Sequence, residues 1–160
     1  MSTWFATYVR PRHEARVAEH LGAREIDYFL PQFLSERTWK DRKVDLLMPL
    51  FPGYVFVNVL PMEKSEVLEV PGVLMMIKEA MPAEEIERLK SMGKFEQKEF
   101  NPQPHAYIAM GERVRVVRGP LKGTEGILVR GKKRTRVVIS LDLIKKSMSV
   151  EVDADAIEPA

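Results

Sequence analysis

Tyr54 and Phe56 stand two positions apart in the stretch 48–59, MPLFPGYVFVNV. Side chains alternate along a strand, so this spacing puts both rings on one face and Val55, Val57 and Val59 on the other. Paired rings on a sheet can anchor a partner's helix, and they are equally the ordinary filling of a core. A second group is cationic. On a 3.6-residue wheel Arg12, His13, Arg16 and His20 gather on one side of the segment after Pro11, opposite Val17, Ala18 and Leu21. Such a face holds phosphates by charge and stacks on unpaired bases, or it is simply solvated. A third group, Arg130, Lys132, Lys133, Arg134 and Arg136, crowds one turn of the last third. It fits contact with RNA, DNA or the ribosome, and equally a basic tip that guards a small sheet from aggregation.

Catalytic and metal chemistry are not legible. His13, His20 and His105 do not form a metal set with close carboxylates, and the chain has no cysteine. That excludes thiolate catalysis, disulfides and Cys-ligated zinc. No Ser-His-Asp arrangement, phosphate-cradling glycine loop or paired-carboxylate site stands in the sequence. The residues describe a binding protein without a cofactor, not an enzyme.

The elements that must position these groups follow from local pattern. Residues 4–9 are aromatic and β-branched, a strand, and Pro11 is placed to open a helix that stops at Gly22. Residues 26–33 read as a second strand bent by Pro31, and 35–45 as the exposed arm and tip of a hairpin carrying Trp39. Pro49, Pro52 and Gly53 make a rigid elbow before the strand that begins at Tyr54. A short helix follows Pro61, a strand covers 73–77, and a helix with Ile86, Leu89 and Met92 on one face runs from Pro82 to Gly93. This is an α+β domain, a small antiparallel sheet with helices, over residues 1–94.

Residues 95–106, polar and holding two prolines, read as a linker. Beyond it, apolar residues recur at period two between glycine turns, which indicates a five-stranded barrel over 107–160. Charge shifts at the same point. The 160-residue chain carries only +2, but residues 107–160 hold 11 Lys and Arg against 7 Asp and Glu, whereas residues 1–106 hold 14 against 16. No apolar run nears the roughly 20 residues of a membrane span, and 1–10 lack a secretory pattern. A cytoplasmic monomer is the expectation.

Two sets of residues resemble one family. Trp4 to Tyr8, Pro11 and Glu14, the run PLFPGYVFV at 49–57, and Pro71-Gly72-Val73 resemble the N-terminal domain of NusG-type transcription elongation factors. Residues 111–116 (GERVRV), 119–123 (GPLKG) and 126–129 (GILV) resemble a KOW motif of the SH3-like barrel type. The resemblance implies that the first domain docks on the clamp helices of the largest RNA polymerase subunit through an aromatic depression and disfavours pausing. The matching positions are Tyr8, Phe51, Pro52, Tyr54 and Phe56. Arg10, Arg16 and His20 resemble the spacing of the specialised RfaH-type branch, where that surface reads the non-template DNA strand. The short connection between first helix and second strand also resembles that branch, which implies antitermination on particular long operons.

One position departs. In the RfaH type an acidic residue helps a helical C-terminal domain mask the polymerase site, but Met48 stands there and forms no ion pair. Val137-Val138-Ile139 is also poor in helix propensity, so a permanent barrel is expected. Ile144 takes the place where NusG offers an aromatic to Rho or to the ribosomal small-subunit protein known as NusE. An aliphatic there leaves the ribosomal partner open and argues against Rho. An RNA-binding or ribosome-associated KOW protein remains the alternative.

Overall fold

The computed structural model describes residues 1–93, 100–108, 110–130 and 135–160. They form two compact units, Met1–Pro31 with Phe51–Glu87, and Gln32–Leu50 with Arg88–Ala160.

The first unit is built on an antiparallel sheet. Its strands are β1 (Thr3–Val9), β2 (Asp27–Phe29), β5 (Tyr54–Val59) and β6 (Val73–Met76), in the order β2-β5-β1-β6. Helices α1 (Glu14–Ala23) and α2 (Lys64–Leu68) cover one face. There Val17, Ala18, Leu21 and Val67 close a core with Phe5, Val9, Val55, Val57 and Val59. The valines of β5 thus face the helices, as period two requires.

Helix α1 starts later than Pro11 and runs past Gly22. Arg12 sits in the left-handed region at φ 67°, which no helix interior accepts, so the chain turns at 10–13 and the helix opens at Glu14. At the other end Glu25, at φ 59°, takes the left-handed position expected of Gly22. Gly22 serves packing instead: a Cβ there would lie 3.3 Å from Cε1 of the Tyr28 ring.

Past β2 and Pro31 the chain enters a separate hairpin of β3 (Gln32–Trp39) and β4 (Arg42–Pro49). Its two-residue loop, Lys40 and Asp41, has both residues at positive φ, the backbone that matches the twist of the flanking strands. Helix α3 (Ala83–Met92) buries Ile86, Leu89 and Met92 as the pattern requires.

The last third is β-rich. Strands β7 (Gln103–His105), β8 (Arg113–Val116), β9 (Glu125–Arg130), β10 (Thr135–Leu141), β11 (Lys146–Val152) and β12 (Ile157–Pro159) pair antiparallel in the order β12-β8-β9-β10-β11-β7. Val114, Val116, Ile127, Val137, Ile139, Leu141, Met148, Val150 and Val152 are buried, the alternation read from the sequence. Among the described residues six strands stand where five were expected. The extra one, β7, comes from the segment read as linker, because its one proline, Pro104, is tolerated on an edge.

Candidate functional site

The elbow before β5 is fixed from both sides. Gly53 adopts φ 90°, and its carbonyl accepts from Val9 N–H at 2.8 Å. Its own N–H donates to Glu14 Oε2 at 2.8 Å. Glu14 is buried on the apolar stripe of α1, so a helix-borne carboxylate satisfies the backbone donor that Gly53 presents at the bend. A Cβ on Gly53 would lie 3.3 Å from Cε2 of Tyr8, so a bare backbone is what lets that ring settle here.

On the face away from α1, register sets a row. Tyr8 lies opposite Tyr54 on one side and opposite Met75 on the other. The two tyrosine rings are 5.4 Å apart and tilted by 54°, an edge-to-face contact. Burial, with Tyr8 beside it, holds the Tyr54 phenol above its ordinary range, so it stays neutral. Tyr8 is 37% exposed and Met75 49%, whereas Tyr54 keeps 9%.

Phe51 and Phe56 lie in the interior, at 3% and 0% exposure. Of the five positions matched by resemblance, Tyr8 and Pro52 therefore present surface, Tyr54 is nearly closed off, and the two phenylalanines are interior. Phe56 was expected beside Tyr54 as a contact residue; parity does put it on the same face, but there it fills the core. Met75 was missed, because only the pairing of β6 with β1 brings it next to Tyr8. Glu14 was missed as a positioning residue. A charged residue on the Val17–Ala18–Leu21 stripe was the available signal.

Arg12, Arg16 and His20 are exposed, with Arg16 and His20 one turn apart on α1. Arg10 is exposed before the helix, where its N–H donates to Gly72 O at 2.9 Å. Gly72, at φ 96°, has no room for a side chain, since a Cβ would stand 2.9 Å from Val17 Cγ2. The Pro71-Gly72 turn thereby carries Arg10 against the start of α1.

The basic group of the last third divides. Arg136 is engaged internally, 2.7 Å from Glu151 Oε1. Arg130 is exposed, and Lys132, Lys133 and Arg134 lie outside the described residues. Ile144, expected as a contact, is 7% exposed. Among the described residues no group of three or more His, Cys, Asp or Glu is placed to hold a metal, and no helix is long and apolar enough to cross a membrane.

A small antiparallel sheet with helices, carrying the Tyr54–Tyr8–Met75 row, followed by a β-rich last third, defines the class of the fold as α+β. Residues 2–90 match the family model described as transcription termination factor nusG, more than half of the chain, and the chain belongs to the NusG family. It is a transcription elongation factor of that type. The fold is similar to that of Thermotoga maritima NusG, solved in a study of its domain interaction. The TM-score is 0.58 at 17% identity, over 99% of this chain and 97% of that one. Two conformations of the MjSpt4:Spt5 complex match with TM-scores of 0.34 and 0.33 at 19% and 18% identity, over 98% of this chain and 97% and 96% of theirs.

Proposed function

We propose that this factor acts on elongating RNA polymerase as an antiterminator restricted to particular long operons. Residues 1–94 dock on the clamp helices of the largest subunit and residues 107–160 form a KOW barrel; of the segment 95–106 read as linker, β7 (Gln103–His105) pairs with β11. The observation that supports docking is the Tyr54–Tyr8–Met75 row, exposed at Tyr8 and Met75 and seated on a pinned elbow. A partner helix laid there would use these as anchors, the two tyrosines each costing roughly 2 kcal/mol or more on truncation and Met75 about half that. Phe51 and Phe56, matched by resemblance to the same docking surface, are buried and act through the packing of this unit rather than by direct contact. Arg10, Arg16 and His20 take the non-template strand through phosphate contacts and stacking. The turn carrying Ile144 leaves the ribosomal small-subunit protein open as a partner and argues against Rho.

The test is capture of RNA polymerase by the full chain. Tyr8→Ala with Tyr54→Ala should lower capture at least thirtyfold while the circular dichroism stays native. Undiminished capture by the folded variant would sink the docking face.

The second reading, a barrel bound to RNA or ribosome, draws on the basic last third. Three of its cations are spent internally: Arg115 on Glu125, Arg118 on Asp155 and Arg136 on Glu151. Strong, salt-sensitive RNA binding by the full chain without polymerase capture would favour it.

A further inference from the structure

Residues 101–108 lie as a strap along the open side of β11. The middle pairs as a strand, Gln103 opposite Ser149, Pro104 opposite Met148 and His105 opposite Ser147. Both ends turn over the outer face of β10 and β11, the face that carries Arg136, Val138 and Ser140 with Ser147, Ser149 and Glu151.

The seat reads main chain. Arg136 Nη2 donates to the Asn101 carbonyl at 2.7 Å, while its Nη1 and Nε are held by Glu151 at 2.7 Å and Ser149 Oγ at 2.9 Å. Ser140 Oγ donates to the Ile108 carbonyl at 2.8 Å, and Ser147 Oγ accepts from Ile108 N–H at 3.4 Å. Ser149 Oγ reaches the Gln103 carbonyl at 3.5 Å. Three contacts engage strap side chains instead: Asn101 Nδ2 donates to Glu151 at 3.1 Å, Tyr107 Oη donates to Asp142 at 2.8 Å, and Lys145 Nζ lies 5.0 Å from the centre of the Tyr107 ring.

Two physical consequences follow. Backbone carbonyls and amides are common to every extended segment, so recognition through them is tolerant of sequence and resembles strand addition at a sheet edge. The seat is also polar apart from Val138, and hydroxyls and an ion pair accept water when uncovered far more cheaply than aliphatic side chains do. A strap on such a seat can leave without the barrel losing its core.

We infer that the outer face of β10 and β11 is a binding site for an extended peptide segment of a partner protein, occupied in the free chain by residues 101–108 as a built-in competitor. Arg136 is its principal recognition residue, clamped by Glu151 so that one guanidinium edge points at the bound carbonyl.

The strap can be loosened without touching the seat by Asn101→Ala with Tyr107→Phe. In the full chain, hydrogen exchange of 101–108 should then rise at least tenfold while β8, β9 and β10 keep their protection. A nine-residue peptide copying 100–108, titrated into the 15N-labelled variant, should shift the amides around Ser140, Ser147 and Ser149. A scrambled peptide should do so comparably, the wild-type chain at least tenfold more weakly, and a variant also carrying Arg136→Ala not at all. Unchanged exchange in 101–108, or exchange that rises equally throughout the barrel, would show that the strap is not separable and overturn the inference. So would faster exchange without peptide shifts, shifts indifferent to Arg136→Ala, or shifts produced by a nine-nucleotide single-stranded RNA and not by peptide.

Discussion

Glu14 on α1 and Gly53 at the entrance to β5 are 39 residues apart in sequence and joined by a buried 2.8 Å hydrogen bond from the glycine N–H to the carboxylate. The bond ties the helix that carries the basic face to the elbow that seats Tyr8. Removing the acceptor leaves a buried donor without a partner, worth about 1–3 kcal/mol. Glu14→Ala should lower the stability of the first unit by that amount and loosen the Tyr8 ring. Glu14→Gln keeps an acceptor oxygen and should lose less. Equal loss in both variants, followed by urea unfolding, would show that a neutral amide oxygen does not replace the carboxylate and would assign the loss to the charge rather than to the presence of an acceptor.

Gly126, the second residue of β9, is set by space, not by a special backbone angle. A Cβ there would stand 2.6 Å from Val137 Cγ1 and press on the Val138 carbonyl. Neither neighbour is the loose end of a flexible side chain, so β9 or β10 must shift. Gly126→Ala should destabilise the barrel by about 3 kcal/mol, read by hydrogen exchange in β9 and β10, with the β1–β5 pair unaffected.

Glu125 on the same strand gives the barrel an acid limit. The Arg115 guanidinium, 2.6 Å away, holds the Glu125 carboxyl below its ordinary 4.5 against the opposing effect of burial, with Arg88 and Arg113 adding attraction. A carboxylate depressed in the folded state contributes stability that is fully present above its unfolded pKa and is lost as pH falls through the folded value. Stability should therefore be flat above about pH 4.5 and decline below it, and Glu125→Gln should shrink that decline. The pair is partly solvated, so the effect is small and screened by salt. Urea midpoints at pH 3 and pH 6 for both proteins provide the check; equal slopes would remove Glu125 as the cause.

Periodicity carried most of this architecture. Val55, Val57 and Val59, the Val17–Ala18–Leu21 stripe and the alternating valines of the barrel each stand on the face that period 2 or 3.6 assigns, because burial selects for it. What escaped was what depends on long-range pairing. Nothing local in residues 103–105, with a proline among them, marks a strand; β7 exists because β11 offers an edge. Phe56 and Tyr54 share parity, yet Phe56 is fully buried and Tyr54 keeps 9% exposure, because parity assigns a face and not the depth of cover on it. Arg136 read as one more cation of a basic turn, and only the fold brings Glu151 and Ser149 to it. The start of α1 was misplaced because proline's preference for a first helical turn is a tendency, and the left-handed Arg12 overrides it.

The exposed cations of the first unit separate two roles by experiment. Arg10, Arg16 and His20 take no part in the core of valines and leucines beneath α1. Their joint replacement by alanine should therefore leave folding stability within about 0.5 kcal/mol of wild type, as for most surface changes. If they hold the non-template strand, the triple variant should keep polymerase capture and lose sequence-dependent pause suppression in a reconstituted elongation complex. Unaltered pausing would return this face to solvent.

Met75 supplies the sharpest test of the docking row, since it enters on register alone. It is half exposed on the edge strand β6, directly across from Tyr8, and buries little that a substitution would uncover. Met75→Ala should therefore leave folding stability within about 0.5 kcal/mol and weaken polymerase capture by roughly 1 kcal/mol, about fivefold, through lost apolar contact. Met75→Glu should weaken it further, because docking an apolar helix would strand a carboxylate without a partner. Tyr8→Ala in the Met75→Ala background should cost less than in the wild type, the mark of neighbours sharing one contact. Strictly additive losses would place Tyr8 and Met75 at separate contacts and break the row.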